Sequence, residues 1–389
     1  MVKRGLLCLG ILVSAVQGYE GCTVAVISGK ATADGRPLLW KNRDSSFREN
    51  EVAFFRGLCH DFIGVINAGD TTQVWMGVNT AGLAIMNAES MDQPGDSADA
   101  EGFFMKQVLA ECGRLQDVET LLRQTNLTGR GTRANFGCID AFGGAALYET
   151  GNRSFVCFDV NDPLIAADGF LVRANFSMTG QQDRKGQGPW RYQRARALLQ
   201  KPARQSILSF EYLLQTVCRD LVTEEVNPYP LPFTGSMDGA PKGWLCTQNS
   251  INRHRTVSCA IFHGVRPGEP PLLTTLWCLL GEPLCSIAVP LWAGAGPVDK
   301  ALDGKHHSAL NRTFQRKHAR LYHDKKNPDY LDTRKLVSDR SFTRRQVKIE
   351  QEILADTRRA LARWRERLPA AEELAKFQND QITYVVRRY

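Results

Sequence analysis

The stretch Cys22-Thr23-Val24-Ala25-Val26-Ile27-Ser28-Gly29, followed by Pro37-Leu38-Leu39-Trp40-Lys41-Asn42-Arg43-Asp44, decides the reading of this chain. Alternation from Cys22 to Ser28, rich in β-branched residues, predicts a strand with Cys22, Val24 and Val26 on one face. A polar turn, Ala33 to Pro37, reverses it into a second strand over Leu38–Asn42. The hairpin returns Lys41, Arg43 and Asp44 to the end of the sheet where Cys22 stands. If the residues ahead of Cys22 are removed, that residue gains an α-amine with a pKa near ~8, suited to take the proton of its own thiol. Cys22 is therefore a candidate N-terminal nucleophile, and Lys41, Arg43 and Asp44 are the charged groups at hand to serve it. On period-two alternation Lys41 and Arg43 share a face and Asp44 opposes them.

What precedes Cys22 fits removal. Residues 1–21 carry Lys3-Arg4, an apolar run from Leu6 to Val16, and small residues Ala15 and Gly18 as cleavage points, the pattern of a secretory leader too short to span a membrane. The later apolar region Leu272–Trp292 is broken by Gly281, Glu282 and Pro283, so no membrane span is expected. The expectation is an exported protein, secreted or periplasmic. A lipid anchor at Cys22 is the alternative, opposed by Tyr19 and Glu20 where aliphatic and small residues are wanted.

The composition, 43% hydrophobic and 23% charged over 389 residues, is that of an ordinary globular chain. The net charge of +8 sits mostly after residue 300 in helical sequence. No aromatic interleaving or reader motif accompanies it, which argues against nucleic acid and for a solvated basic face. Of eleven cysteines, Cys8 falls in the leader, and the rest show no C-x-x-C pair or zinc-type Cys/His spacing. No metal is expected, and disulfide pairing stays open. No G-x-G-x-x-G or P-loop pattern occurs, so no cofactor is expected either.

Along the chain, strand-like pieces at 52–56 and 61–67 precede stronger strands at Thr72–Val78 and Leu83–Asn87. A polar loop, Met91–Ala100, leads into helical sequence in which Phe104, Val108, Cys112, Leu115, Val118 and Leu122 form one stripe. Strands return at Asn135–Ile139, Ala145–Thr150, Ser154–Asp159 and Gly169–Ala174. Helices follow near Trp190–Gln200 and Ser206–Val222, then strands at Thr256–His263 and Leu272–Leu279. A long helix from about Thr343 should end or kink at Pro369, packing through Leu354, Leu361, Trp364 and Leu368. Strands, helices, strands, helices predict an α+β fold with two mainly antiparallel sheets between helical layers. The organisation expected is a leader at 1–21, a catalytic domain at 22–298, and a basic helical extension at 299–389 packed on it.

Four stretches in order, the Cys22 segment with Asn42-Arg43-Asp44, "GVNTAGLAIMNAES" (Gly77–Ser90), "RANFSMTG" (Arg173–Gly180) and "SINRHRTVS" (Ser250–Ser258), resemble the N-terminal-nucleophile hydrolases of the linear-amide type. That superfamily includes choloylglycine (bile salt) hydrolases, penicillin V acylases and the peptidase C45-type acyl-CoA:6-aminopenicillanate acyltransferases. The resemblance runs from Cys22 to about Gly296 and implies the four-layer αββα sandwich. It implies thioester chemistry on Cys22 after autoproteolytic or signal-peptidase removal of the leader, and a small-molecule amide as substrate. By the same resemblance Asp44 orients the Cys22 amine or thiol, and Lys41 stands where bile salt hydrolases carry an arginine. Asn87 and Asn175 supply oxyanion donors, and Arg253 lies close to the nucleophile, with Arg255 as its competitor. Arg43 and Arg255 are candidate substrate contacts. An acyltransferase using the same thioester is the near alternative, and a catalytically dead binding protein working through 300–389 is the distant one. A homo-oligomer stays open.

Overall fold

The chain is described by a computed structural model covering residues 21–95, 98–181, 186–237, 239–305, 307–322, 327–338 and 342–389. The expected leader thus lies outside the described residues except for Gly21. So do residues 96–97 of the polar loop that follows Ser90.

Two antiparallel sheets lie face to face. The first has six strands in the order β10 (Phe170–Arg173), β1 (Cys22–Ile27), β2 (Leu38–Asp44), β12 (Thr256–His263), β13 (Thr275–Leu279) and β14 (Val289–Leu291). The second runs in sequence order: β3 (Asn50–Phe55), β4 (Phe62–Asn67), β5 (Met76–Asn79), β6 (Ala84–Glu89), β7 (Ala134–Ile139), β8 (Ala145–Thr150) and β9 (Phe155–Asp159). A small ribbon pairs β11 (Trp244–Cys246) with β15 (Tyr330–Asp332).

Helices cover both outer faces. α1 (Glu101–Glu111) and α2 (Leu115–Thr128) lay Phe104, Val108, Cys112, Val118 and Leu122 on Ile85, Phe136 and Cys138 of the seven-stranded sheet. α3 (Pro189–Arg204) and α4 (Phe210–Gln215) cover the six-stranded sheet, joined by α7 (Phe342–Glu366) and α8 (Ala371–Arg388). α5 (Ala309–Leu321) and the short α6 (Arg334–Val337) complete the chain. The result is the α+β, four-layer αββα sandwich, with Val24, Val26, Val65, Met86 and Leu147 in the layer between the sheets.

Several expectations need correction. The stripe from Phe104 to Leu122 is two helices, because the Asp117 carboxylate accepts the N–H groups of Gly113 and Arg114 and starts a new helix there. The helix expected over Ser206–Val222 is confined to Phe210–Gln215 plus a 3-10 turn at Val217–Arg219. The strands foreseen at Thr72–Val78 and Leu272–Leu279 begin only at Met76 and Thr275, the second because a proline-led 3-10 turn occupies Pro271–Leu273. α7 ends at Glu366, ahead of Pro369. Leu354, Leu361 and Trp364 are buried on that helix, whereas Leu368 lies beyond its end and is 47% exposed.

Candidate active site

Cys22 opens β1 between β10 and β2, directly opposite Arg43. Alternation sends its side chain, like those of Lys41 and Arg43, into the layer between the sheets, and turns Thr23, Asn42 and Asp44 toward the helices. The contacts agree. Lys41 Nζ donates to Asn87 Oδ1 at 2.6 Å and to the Trp75 carbonyl at 3.0 Å. Arg43 donates to Asn50 and Asn67 and stacks 4.6 Å over the Trp75 ring. On the other side the Asn42 amide donates to the carbonyls of Cys218 and Ile251.

The Gly21–Cys22 peptide is held at several points. The Cys22 N–H donates to Asn175 Oδ1 at 2.9 Å, and Arg253 Nη2 reaches the Gly21 carbonyl at 3.4 Å. Arg191 Nη1 donates to the Cys22 carbonyl at 2.7 Å and to Thr23 Oγ1 at 2.8 Å, while its Nη2 donates to Asn175 Oδ1 at 3.0 Å. Asp44 accepts from Arg253 Nε at 2.6 Å and from Thr256 Oγ1 at 2.7 Å, with Arg191 Nη1 3.9 Å away. Thr256 reaches Asp44 because the β12–β2 register slips between Thr256 and Ser258. Two residues apart, these side chains would share a face in an unbroken strand. The irregularity frees Thr256 for Asp44 while Ser258 faces Asn50 on the inter-sheet side.

The Cys22 thiol is pushed up from its ordinary pKa, first by burial and then by the Asp44 carboxylate. Lys41, the Asp44 backbone N–H and Arg43 pull the other way without prevailing. Such a thiol keeps its proton at neutral pH, so attack needs a base.

The structure therefore brings Cys22, Lys41, Asp44, Asn87, Asn175 and Arg253 to one end of the β1–β2 hairpin, with Arg43 beside them. Arg253, not Arg255, meets Asp44; Arg255 instead raises the field around Arg48 and His254. Asn175 differs from the expectation in one respect. Its Oδ1 faces the N–H of Cys22, so its Nδ2 points away, to the Glu89 carbonyl at 3.0 Å. With the Gly21–Cys22 bond intact, Asn175 orients the nucleophile's nitrogen and offers no N–H to an oxyanion. Asn87 presents Oδ1 to Lys41, leaving its Nδ2 as the donor on that side. His254, half-buried beside Arg48 and Arg255, has its pKa pushed down to about 3 by desolvation and those two charges.

Arg191 was not foreseen. A signal existed: Arg191, Ala195, Leu199 and Ala203 are the buried stripe of α3, spaced four apart, and an arginine heading such a stripe must have a buried partner. Among the described residues all ten cysteines are free thiols, and no group of His, Cys, Asp and Glu is arranged to hold a metal ion. No described helix is long and apolar enough to cross a membrane.

The fold is an αββα sandwich that gathers these side chains around Cys22 at one end of the β1–β2 hairpin. Residues 31–213, just under half of the chain, match the model of the family described as acyl-coenzyme A:6-aminopenicillanic acid acyl-transferase. The matched span begins after Cys22 and ends before Arg253. No curated protein matches the chain. Among solved structures, it is similar to a variant of conjugated bile acid hydrolase from Clostridium perfringens, at 15% identity and a TM-score of 0.41 over 67% of this chain and 89% of that one. An N-acylethanolamine-hydrolyzing acid amidase ortholog from Caenorhabditis elegans aligns at 14% identity and a TM-score of 0.42, over 62% and 92%. Penicillin V acylase from Agrobacterium tumefaciens aligns at 12% and 0.41, over 70% and 86%.

Proposed function

We propose that this chain is an exported amide hydrolase that acts through a thioester on Cys22 once residues 1–21 have been removed. The observation that carries the reading is the grip on the Gly21–Cys22 peptide: N–H on Asn175, flanking carbonyls on Arg253 and Arg191, and the thiol beside Lys41. In maturation Sγ attacks the Gly21 carbonyl carbon, the acyl group passes from nitrogen to sulfur, and water releases the leader as a carboxylate. Direct proteolysis ahead of Cys22 gives the same product.

The freed α-amine then takes the thiol proton as Sγ bonds to the carbonyl carbon of a linear amide. Charge gathering on the oxygen is met by N–H donors, Asn87 Nδ2 among them, each such donor being worth ~10²–10³ in rate. The C–N bond breaks as the ammonium returns its proton to the leaving amine. Water, deprotonated by the α-amine, resolves the thioester to acid and thiol. The family description keeps a second reading, in which another amine resolves the thioester by acyl transfer.

The test joins mass spectrometry of exported protein with hydrolysis of N-acyl amino acids, β-alanyl amines, penicillins and conjugated bile acids. The expectation is a mature chain starting at Cys22, active on at least one class and inactive as Cys22→Ala. An active enzyme with Gly21 still attached overturns the proposal, and added amines diverting the acyl group would favour transfer.

A further inference from the structure

Arg191 does more than cross-link the site. Its guanidinium plane spans the Cys22 carbonyl and Thr23 Oγ1 with one nitrogen and Asn175 Oδ1 with the other. Asn175 Oδ1 is in turn the acceptor for the Cys22 nitrogen. The nitrogen that becomes the α-amine is therefore one bridging oxygen from a buried positive charge. A lysine, a point charge with no planar fork, would not make these contacts together.

We infer that Arg191 is a positioning residue that keeps the freed α-amine of Cys22 neutral, holding Asn175 Oδ1 as acceptor for its N–H while standing beside it as a fixed cation. This rests on the reading of Cys22 as an N-terminal nucleophile. An ammonium cannot accept the thiol proton, so the first proton must leave the amine–thiol pair at working pH. Charged groups converge on the pair from three elements: Lys41, Arg43 and Asp44 on β2, Arg191 on α3, and Arg253 on the turn before β12. Asp44 is the only anion among them, and Arg253 and Thr256 already occupy its oxygens. Burial acts in the same direction as the cations on an ammonium. Arg191 itself, lowered to about 10 by burial and by Arg253, stays charged throughout the neutral range.

The probe is iodoacetamide, and the readout is the rate of Cys22 alkylation against pH, followed by mass spectrometry. The protein is the chain beginning at Cys22, released by a protease site placed ahead of it so that no variant must mature itself. That chain keeps every strand and helix described above. The first rise of the rate reports the first proton lost by the coupled pair, whichever atom gives it up. For wild type it should fall below the ordinary α-amine range near ~8. A charge about 6 Å away at an intermediate dielectric moves such a midpoint by one to two pH units, so Arg191→Gln should raise it by that much. Arg191→Lys should return most of the shift.

A wild-type midpoint at or above the ordinary range overturns the inference, and that result needs no variant to fold. Equal shifts in the Gln and Lys variants, or no shift in Gln, overturn it as well. Full activity in Cys22→Ala instead fells the underlying reading, so the two failures are distinguishable.

Discussion

Glu282 couples the C-terminal segment to the turn that carries Arg253, and its ionisation should be readable in stability. The side chain is 2% exposed. Its Oε1 accepts from Tyr322 Oη at 2.7 Å and from the Asn252 amide, its Oε2 lies 3.6 Å from Cys285 Sγ, and His318 Nε2 is 3.5 Å away. Burial raises its pKa from 4.5 to about 7, outweighing the Tyr322, Asn252 and Cys285 donors and the Arg48 charge. The folded chain thus binds this proton more tightly than the unfolded chain does. The stabilisation is complete below pH 4.5 and is lost as pH rises through about 7. At 1.36 kcal/mol per pKa unit, Glu282 contributes about 3 kcal/mol at acid pH and almost nothing at pH 8.

The absolute pH curve will not isolate this term. Glu101, also raised to about 7, acts in the same sense. Half-buried His254 and buried His318 act in the opposite one: their pKa values are depressed, so their share is present above about 6.5 and lost as pH falls. Comparing wild type with Glu282→Gln removes these shared terms, since Gln keeps an acceptor for Tyr322 and Asn252. Urea unfolding at pH 5, 6, 7 and 8 should show the advantage of wild type over the variant shrinking by about 2–3 kcal/mol across the series. Parallel curves for the two proteins over that range would refute the assignment of a buried, raised carboxyl to Glu282.

Two further outcomes follow from packing. In Gly21→Ala the new methyl carbon would meet Arg253 Nη2 and crowd Arg191 Nη2 and Asn175 Oδ1 at 3.2 Å each, so the groups that grip the Gly21–Cys22 peptide must shift. Leader removal, timed by mass spectrometry, should slow roughly tenfold or more, the kinetic equivalent of ~1–3 kcal/mol of overpacking; an unchanged rate would sink the reading. Trp364 is 2% exposed, meets Trp292 and Phe377 edge-on at 5.3 and 5.2 Å, and donates to Glu373. Trp364→Ala should cost ~3–5 kcal/mol by denaturant unfolding, and a loss under ~1 kcal/mol would mean that α7 and α8 contribute little to the body.

What the sequence discloses and what it hides divide along physical lines. Strands of five or more apolar-rich residues between turn signals advertise themselves, and the bounds foreseen for Ala145–Thr150 and Thr256–His263 coincide with β8 and β12, both buried along their whole length. The three-residue strands β11, β14 and β15 have too few residues to show a period, and β11 and β15 find each other across more than 80 residues of sequence. The same holds within the site. Lys41 and Asp44 were legible because β1 and β2 are consecutive strands that pair directly, with Cys22 opposite Arg43. Asn175 meets Cys22 across 153 residues of sequence, through the pairing of β1 with β10, and no local spacing encodes that. Arg191 was hidden differently: its helix shows a mixed, basic sequence, and its charge masks a position that packing treats as core.

The residues after Gly296 connect to the site through a series of contacts. Arg219 and the buried Glu350 of α7 pair at 2.5 Å, and Glu350 also accepts the Ala288 N–H, so α7 is clamped to the segment that leads from Glu282 into β14. Tyr322, just past α5, holds Glu282 from the other side. Between them Glu282 grips Asn252, and the next residue along is Arg253, whose Nε fixes the Asp44 carboxylate. Glu282, Asn252, Glu350 and Asp44 are buried, and a buried charge left without its partner typically costs ~3–5 kcal/mol. A run of contacts thus leads from Tyr322 through Glu282 to Asn252, the residue that precedes Arg253. Glu282 is therefore the point at which the C-terminal helices and the Arg253 turn meet, and its replacement tests both.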